Sequence, residues 1–239
     1  MRRIQRLPLS PRASSYLEQW TAEVVAAPDP RAESDRLWPQ KGQTLTVQEI
    51  RERLAAMNGK VAGRCMYCEC NEAGHIDHFD PRSRNPAATF VWSNHLLACD
   101  VCNSNHKRER FHSPSGETPV DPTADDPGAH LEFLPSGAVR ARTAKGAWSV
   151  EVFGLDRELI ARQRRDTWTA LEAIVTRYGR FRRGGDEARA ARVRDMVQRC
   201  PCPTVVARFF ELSRTPHAAP LFDPECLAVL REAPEVYDW

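Results

Sequence analysis

Between residues 65 and 107 the chain places Cys65-x-x-Cys68, then His75, Asp77-His78, Asn94, Cys99-x-x-Cys102, Asn103, His106 and Lys107. Two Cys-x-x-Cys knuckles thirty residues apart offer four thiolates, the donor set of a tetrahedral Zn²⁺ site. Such a zinc would be closed and structural. It would pin the start of a strand to a later helix, which matters because so short a module buries little core of its own.

A second chemistry sits between the knuckles. A neutral imidazole at His78 can take a proton from water. A divalent ion, Mg²⁺ or Mn²⁺, held by Asp77 and by a helix-side ligand would stabilise charge on a scissile phosphate and a departing 3′ oxygen. That ligand is either Asn103 or His106, and the spacing leaves both open. Neighbours in a strand point to opposite sides, so Asp77 and His78 share one centre only if strand twist brings them together. Lys107, Arg108 and Arg110 could neutralise flanking phosphates. His75 and His95 read as exposed or packing residues, and His112, His130 and His217 as surface.

The elements that would position these groups are short. Gly74 to Phe79 reads as a strand, Phe90 to Trp92 as a second, and a helix beginning near Asp100 would carry Cys102, Asn103, His106 and Lys107. Upstream, Ser14 to Val25 suggests a short helix and Pro28 to Gly42 a loop. Thr46 with Glu49 forms a capping box ahead of the apolar stripe Val47, Ile50, Leu54 and Met57. Downstream, Pro114 to Gly128 reads as a loop. Leu131–Phe133, Ala138–Arg142 and Trp148–Phe153 read as three strands. Helices follow: one from Asp156 to Tyr178 with Leu159, Trp168, Leu171, Val175 and Tyr178 inside, one capped by Asp186 with Val193, Met196 and Val197 inside, one over Thr204 to Ser213, and one starting at Asp223-Pro224. The expected fold is α+β, a mostly helical chain with an embedded zinc-stabilised ββα finger and a small strand region. Its expected parts are a helical arm (1–60), the finger (61–112), a loop with short strands (113–155) and a helical C-terminal region (156–239).

Composition narrows the partners. The 239 residues carry a net charge of only +2, so the chain is no polycation. Between Arg157 and Arg199, however, twelve arginines face six acids, which suits either a phosphate-rich partner or solvated helix faces. Met1 to Pro8 has basic residues without an apolar h-region, and no apolar run approaches bilayer length. Eight cysteines without a secretory signal point to a reducing, cytoplasmic setting, with thiolates holding metal rather than disulfides and with no membrane partner.

Taken as a pattern, Cys-x-x-Cys, Asp77-His78-Phe79-Asp80-Pro81, Trp92-Ser93-Asn94 and Cys99-Asp-Val-Cys102-Asn103 followed by a lysine resembles the HNH, or His-Me finger, endonucleases. It resembles in particular the HNH effector subunits of Septu-type and retron-associated bacterial anti-phage systems. The resemblance is specific over residues 60 to 111 and suggestive to about 165. It implies a ββα-metal finger and hydrolysis of phosphodiester bonds in nucleic acid, with DNA the expected substrate and little sequence specificity. His78 would be the general base, Asp77 a metal ligand, Asn103 the finger-helix ligand and Asn94 a structural support. It also implies an SMC-like or ABC-type ATPase partner. That partner must act in trans, since the chain has no GxxxxGK[ST] motif. The helical C-terminal half, with Trp168, Phe209, Phe210 and Tyr237-Asp-Trp239, is the expected docking surface. The chain departs from the family ending Cys-Asn-x-x-Lys by one extra residue before Lys107. A different class of function, a non-catalytic zinc-finger subunit binding nucleic acid or protein, shares the cysteines and arginines but does not require Asp77 and His78.

Overall fold

A computed structural model of the chain describes residues 1–59, 61 and 63–238. Among these the chain is mostly helical, with two small two-stranded sheets. Three helices come first: α1 (Pro11–Ala26), α2 (Pro30–Lys41) and α3 (Leu45–Ala56). The segment 28–42, expected as a loop, is mostly helix α2. Asp29 accepts from the Ala32 amide and Pro30 fills the first turn, where a missing N–H costs nothing. Its prolines thus start and finish a helix rather than prevent one. The capping box also moves: Thr44, not Thr46, caps α3, and Glu49 turns instead to the amide and hydroxyl of Ser10 at 2.7 and 2.8 Å. Val47, Ile50 and Leu54 still form the buried stripe.

Strands β1 (His75–His78) and β2 (His95–Ala98) pair antiparallel, with Asp77 opposite Leu96 and His78 opposite His95. The second strand therefore lies after Trp92, not at Phe90 to Trp92, because Trp92–Asn94 forms a tight turn first. A π-helical segment, Val101–Lys107, follows. Next come α4 (Pro127–His130) and the hairpin of β3 (Leu131–Phe133) with β4 (Val139–Ala141). The expected third strand is instead helix α5 (Ala144–Phe153). Thr143 caps it, and Trp148 and Val152, four apart, are buried, a helical spacing that overrides the β-propensity of the run.

Helices α6 (Glu158–Arg183), α7 (Glu187–Val197), α8 (Pro203–Ser213) and α9 (Pro224–Glu232) complete the fold. Helix α6 runs past Tyr178 to Arg183, and Gly179 lies within it, where its missing Cβ lets Val229 of α9 approach. Leu159 and Met196, expected inside, are exposed. The arginines of the last turn of α6 answer acids on or beside α9: Arg180 and Arg183 meet Glu225, Arg183 also meets Glu232, and Arg182 meets Glu235.

Two apolar cores result. One gathers α1–α3, β2, the cysteines and α5; the other gathers α6–α9 around Trp168, Leu171, Phe209 and Phe222. Trp168 and Phe209, expected at a docking surface, are buried against each other with ring centroids 5.0 Å apart. Trp239 lies outside the described residues. Glu69 ties the cores together. It follows the first knuckle in a left-handed conformation (φ 65°) and accepts from the backbone N–H of Thr204 at 3.0 Å and its hydroxyl at 2.6 Å, at the start of α8. No helix among the described residues is long and apolar enough to cross a membrane.

Candidate metal centre and the adjoining cleft

The two knuckles converge. Cys65, Cys68, Cys99 and Cys102 are all buried, with their sulfur atoms within 4.8 Å of one another. Cys68 Sγ and Cys99 Sγ are 3.7 Å apart. Four sulfurs at ~2.3 Å from a tetrahedral Zn²⁺ lie about 3.8 Å from each other, so the donor set fits that ion. Surrounding groups offset the charge such a centre would carry. The Cys102 amide donates to Cys99 Sγ at 3.4 Å, and the Arg157 guanidinium donates to Cys102 Sγ at 3.5 Å. Cys70, outside the quartet, is buried beside it.

The metal centre sets the height of β1 and β2. The Met66 amide donates to Leu97 O at 2.8 Å and the Gly74 amide to Ala98 O at 3.2 Å, so the first knuckle is laced to β2. Tyr67, within that knuckle, stacks on Phe153 of α5 at 3.9 Å and donates its hydroxyl to Asp77 Oδ2.

Asp77 is thereby enclosed. Lys107 Nζ donates to its Oδ1 at 2.9 Å and to the His78 carbonyl at 2.7 Å. Asp77 is 3 % exposed and Lys107 1 %. Burial raises the Asp77 pKa above the ordinary range, and Lys107 and Tyr67 only partly counter it. Two sequence expectations change here. Lys107 is sealed in an ion pair and is not presented to backbone phosphates. Both Asp77 oxygens accept from protein donors, Oδ2 from Tyr67 and Oδ1 from Lys107, so its charge is already answered by a buried ammonium rather than by a divalent ion. As arranged, with Lys107 occupying the place beside Asp77, the residues present do not fit a Mg²⁺ or Mn²⁺ site.

The helical segment explains how Lys107 reaches this position. The Arg108 amide donates to Asn103 O at 2.7 Å, five residues back. A π-type turn takes up one more residue than an α-turn. It absorbs the extra residue and keeps Lys107 facing β1. The same winding separates the two candidate helix-side ligands. Asn103 lines the cleft with Asp77 and His78. His106 instead faces α5, its ring against Gly154, where φ is +58° and an added Cβ would come 2.3 Å from the imidazole. His106 does not join the cleft. Neither does Arg110, which donates to the His106 carbonyl at 2.7 Å and to Glu151 at 3.2 Å. Arg108 does line the cleft, with a positive φ of 50°.

His78 is fixed by a chain of contacts. Its Nε2 lies 2.9 Å from the Thr89 carbonyl, which can only accept, so Nε2 carries the proton and Nδ1 keeps its lone pair. Burial, with His95 and Arg82 nearby, holds the His78 pKa well below the usual histidine range. His95 shares the same acceptor, its Nε2 2.8 Å from Thr89 O, while its buried Nδ1 has no partner. Trp38 meets the His78 ring edge-on at 4.4 Å. Asn94 fastens the loop between the strands: its Oδ1 accepts from the Asp80 amide at 2.7 Å, and its Nδ2 donates to the carbonyls of Asp80 and Ala88 at 3.0 Å each. His75 is exposed on the other side, 4.0 Å from Asp100.

The cleft has a volume of about 290 Å³. Besides Asp77, His78, Asn103 and Arg108, its walls include Arg31, Asp35 and Trp38 of α2 and Arg82 after β1. Sequence reading missed the three on α2 because residues 28–42 looked like a loop, with no helical face to place beside His78, and Arg82 because it stands in the irregular segment after β1, where no period marks it. Tyr67 was hidden inside the Cys-x-x-Cys spacing.

Fold and site define a mostly helical protein with a buried four-cysteine cluster able to hold a metal ion. No protein-family model matches the chain. It is similar to the Septu protein PtuB of Bacillus mycoides (strain KBAB4), 28 % identical over 135 residues that cover 43 % of this chain and 46 % of that protein. The chain thus spans less than half the length of that relative, a distant and partial relation to a Septu-system protein.

Proposed function

We propose that the chain is a zinc-stabilised, nucleic-acid-binding component of a Septu-type anti-phage system, working with an ATPase supplied in trans. The four buried thiols within 4.8 Å of one another carry the structural half of this reading, and the partial similarity to a Septu protein supports the biological half. The arginines around the cleft, Arg31, Arg82 and Arg108, support a phosphate-bearing ligand. Zinc would be held by Cys65, Cys68, Cys99 and Cys102, and it would supply rigidity rather than reactivity, since a four-thiolate site has no open position.

The finer reading is hydrolysis of a phosphodiester bond by an HNH-type centre. The observation favouring it is the state of His78: neutral, oriented by Thr89, with Nδ1 free to accept a proton from water. Asn94 keeps the supporting loop in place, and Asn103 faces the same cleft. The Lys107–Asp77 pair fixes the β1 backbone at the base through the Lys107 contact to the His78 carbonyl.

Cleavage separates hydrolysis from simple binding. With plasmid DNA, the partner ATPase and Mg²⁺ or Mn²⁺, the wild-type chain should nick and His78→Ala should not, while both retain zinc. Equal products from the two proteins, or none from either, would leave the non-catalytic zinc-binding subunit as the reading.

A further inference from the structure

The cleft beside His78 differs in kind from an element that projects into a duplex groove. It is a hollow. Helix α2 walls one side with Arg31, Asp35 and Trp38, and Arg108 and Glu109 wall another. His78 lies at the bottom, only 8 % exposed. The grooves of B-form DNA are ~12 and ~6 Å wide and admit elements that stand out from a protein surface. A recessed imidazole is better reached by a backbone that can bend inward. The volume, about 290 Å³, suits a nucleotide-sized segment rather than a double helix.

Charge points the same way. Three arginines at the cleft, Arg31, Arg82 and Arg108, face two carboxylates, Asp35 and Glu109, while Lys107 and Asp77 cancel each other. One surplus positive charge is little for a duplex, which presents a phosphate every ~1.7 Å of axis, and better matched to a lone strand with half that density. The arginines are also poised. Arg31 donates to Asp35 at 2.7 Å and lies 4.0 Å from Glu109, and Arg82 lies 3.3 Å from Asp35. The Arg31 pairs are exposed and weak, so a phosphate can take over the guanidinium. Trp38 adds an aromatic wall with the Arg82 guanidinium 6.0 Å from its ring centroid. Arginines combined with an aromatic surface are the usual equipment for holding unpaired strands.

We infer that this cleft takes the backbone of an unpaired nucleic-acid strand, gripped by Arg31 of α2 and Arg82 of the loop after β1. The inference rests on the nucleic-acid reading above and adds the form of the ligand and two residues that hold it.

Fluorescence anisotropy tests it on the full zinc-loaded chain without added Mg²⁺ or Mn²⁺. The probes are a 20-nucleotide DNA strand lacking self-complementarity, its RNA counterpart and the blunt DNA duplex. A single strand, of DNA or RNA, should bind at least ten-fold more tightly than the duplex. Arg31→Glu and Arg82→Gln should each weaken strand binding ten-fold or more, and Arg31→Lys should retain most of it. Arg31 is exposed and paired only at the surface, so Arg31→Glu should keep the wild-type circular dichroism and remain informative if Arg82→Gln misfolds. Duplex binding as tight as single-strand binding overturns this inference alone, as does strand binding indifferent to folded Arg31→Glu. Failure of the wild-type chain to bind all three probes overturns the nucleic-acid reading with it.

Discussion

Lys107 Nζ sits 2.9 Å from Asp77 Oδ1 with both side chains closed off from solvent, and the same ammonium reaches the carbonyl of His78 at 2.7 Å. The end of the cysteine-bearing helical segment is thereby locked to the strand that presents the histidine. A buried pair of this kind is unforgiving when half of it is removed, because the remaining group loses its partner without regaining water.

Lys107→Met should therefore destabilise the chain by about 3–5 kcal/mol in equilibrium denaturation. Adding Asp77→Asn to Lys107→Met should recover part of that loss, since no charge is then left buried. A double variant no more stable than Lys107→Met would show that the pair is not coupled.

His95 makes stability depend on pH. Burial pulls its pKa down from 6.5 to about 4 despite the Thr89 hydrogen bond. An unfolded chain would take up a proton at this site between those values while the folded one would not, so stability is complete above the ordinary histidine pKa and lost as pH falls toward 4. The full effect is on the order of 3 kcal/mol. His95→Leu also removes the unpartnered Nδ1. Denaturation midpoints of wild type and variant between pH 7 and 4 should converge in slope elsewhere and differ by this component.

Gly154 should tolerate no side chain. Its left-handed φ and its contact with His106 make Gly154→Ala both strained and crowded. A loss of roughly 1–3 kcal/mol is expected, visible as a lowered melting temperature. His106→Ala in the same background should relieve the crowding but not the backbone strain, so rescue should be partial.

If the chain cleaves, His78 dictates the acid limb of its profile. Its pKa is held well below the usual histidine range, first by burial and then by His95 and Arg82. The cleavage rate should stay level as pH falls through 6.5, where an ordinary imidazole would already be protonated and unable to act as a base. A rate that halves near 6.5 would assign the base elsewhere or show His78 to be solvated.

The metal cluster was the most legible part of the sequence, because Cys-x-x-Cys spacing fixes the donors before any tertiary contact is known. The buried stripe of α3 was legible for a similar reason, as a local period, and strand β1 as a short run ended by the Asp80-Pro81 turn. What escaped depends on contacts distant in sequence. Helix α2 was obscured by prolines that serve as its first residue and its closing turn. The run at Trp148 to Phe153 carries β-forming residues, yet a Thr143 cap and tertiary burial make it helical. The roles of Lys107 and His106 turned on a π-type winding that no residue pattern announces, and one residue of slippage exchanges which side chain faces the strand. Trp168 was read both as an inner residue of its helix and, with Phe209, as part of a docking surface; the inner reading holds, because the two rings pack on each other and on Phe222, a contact distant in sequence.

The most direct measurement is the metal content of the purified chain by native mass spectrometry, alongside Cys65→Ser. A single zinc ion per wild-type chain should be found, with loss of that ion and of the β1–β2 amide protection from hydrogen exchange in the variant. A folded wild-type chain without zinc after growth in zinc-supplemented medium, with all four thiols free to react, would contradict the metal centre on which this account of the site is built.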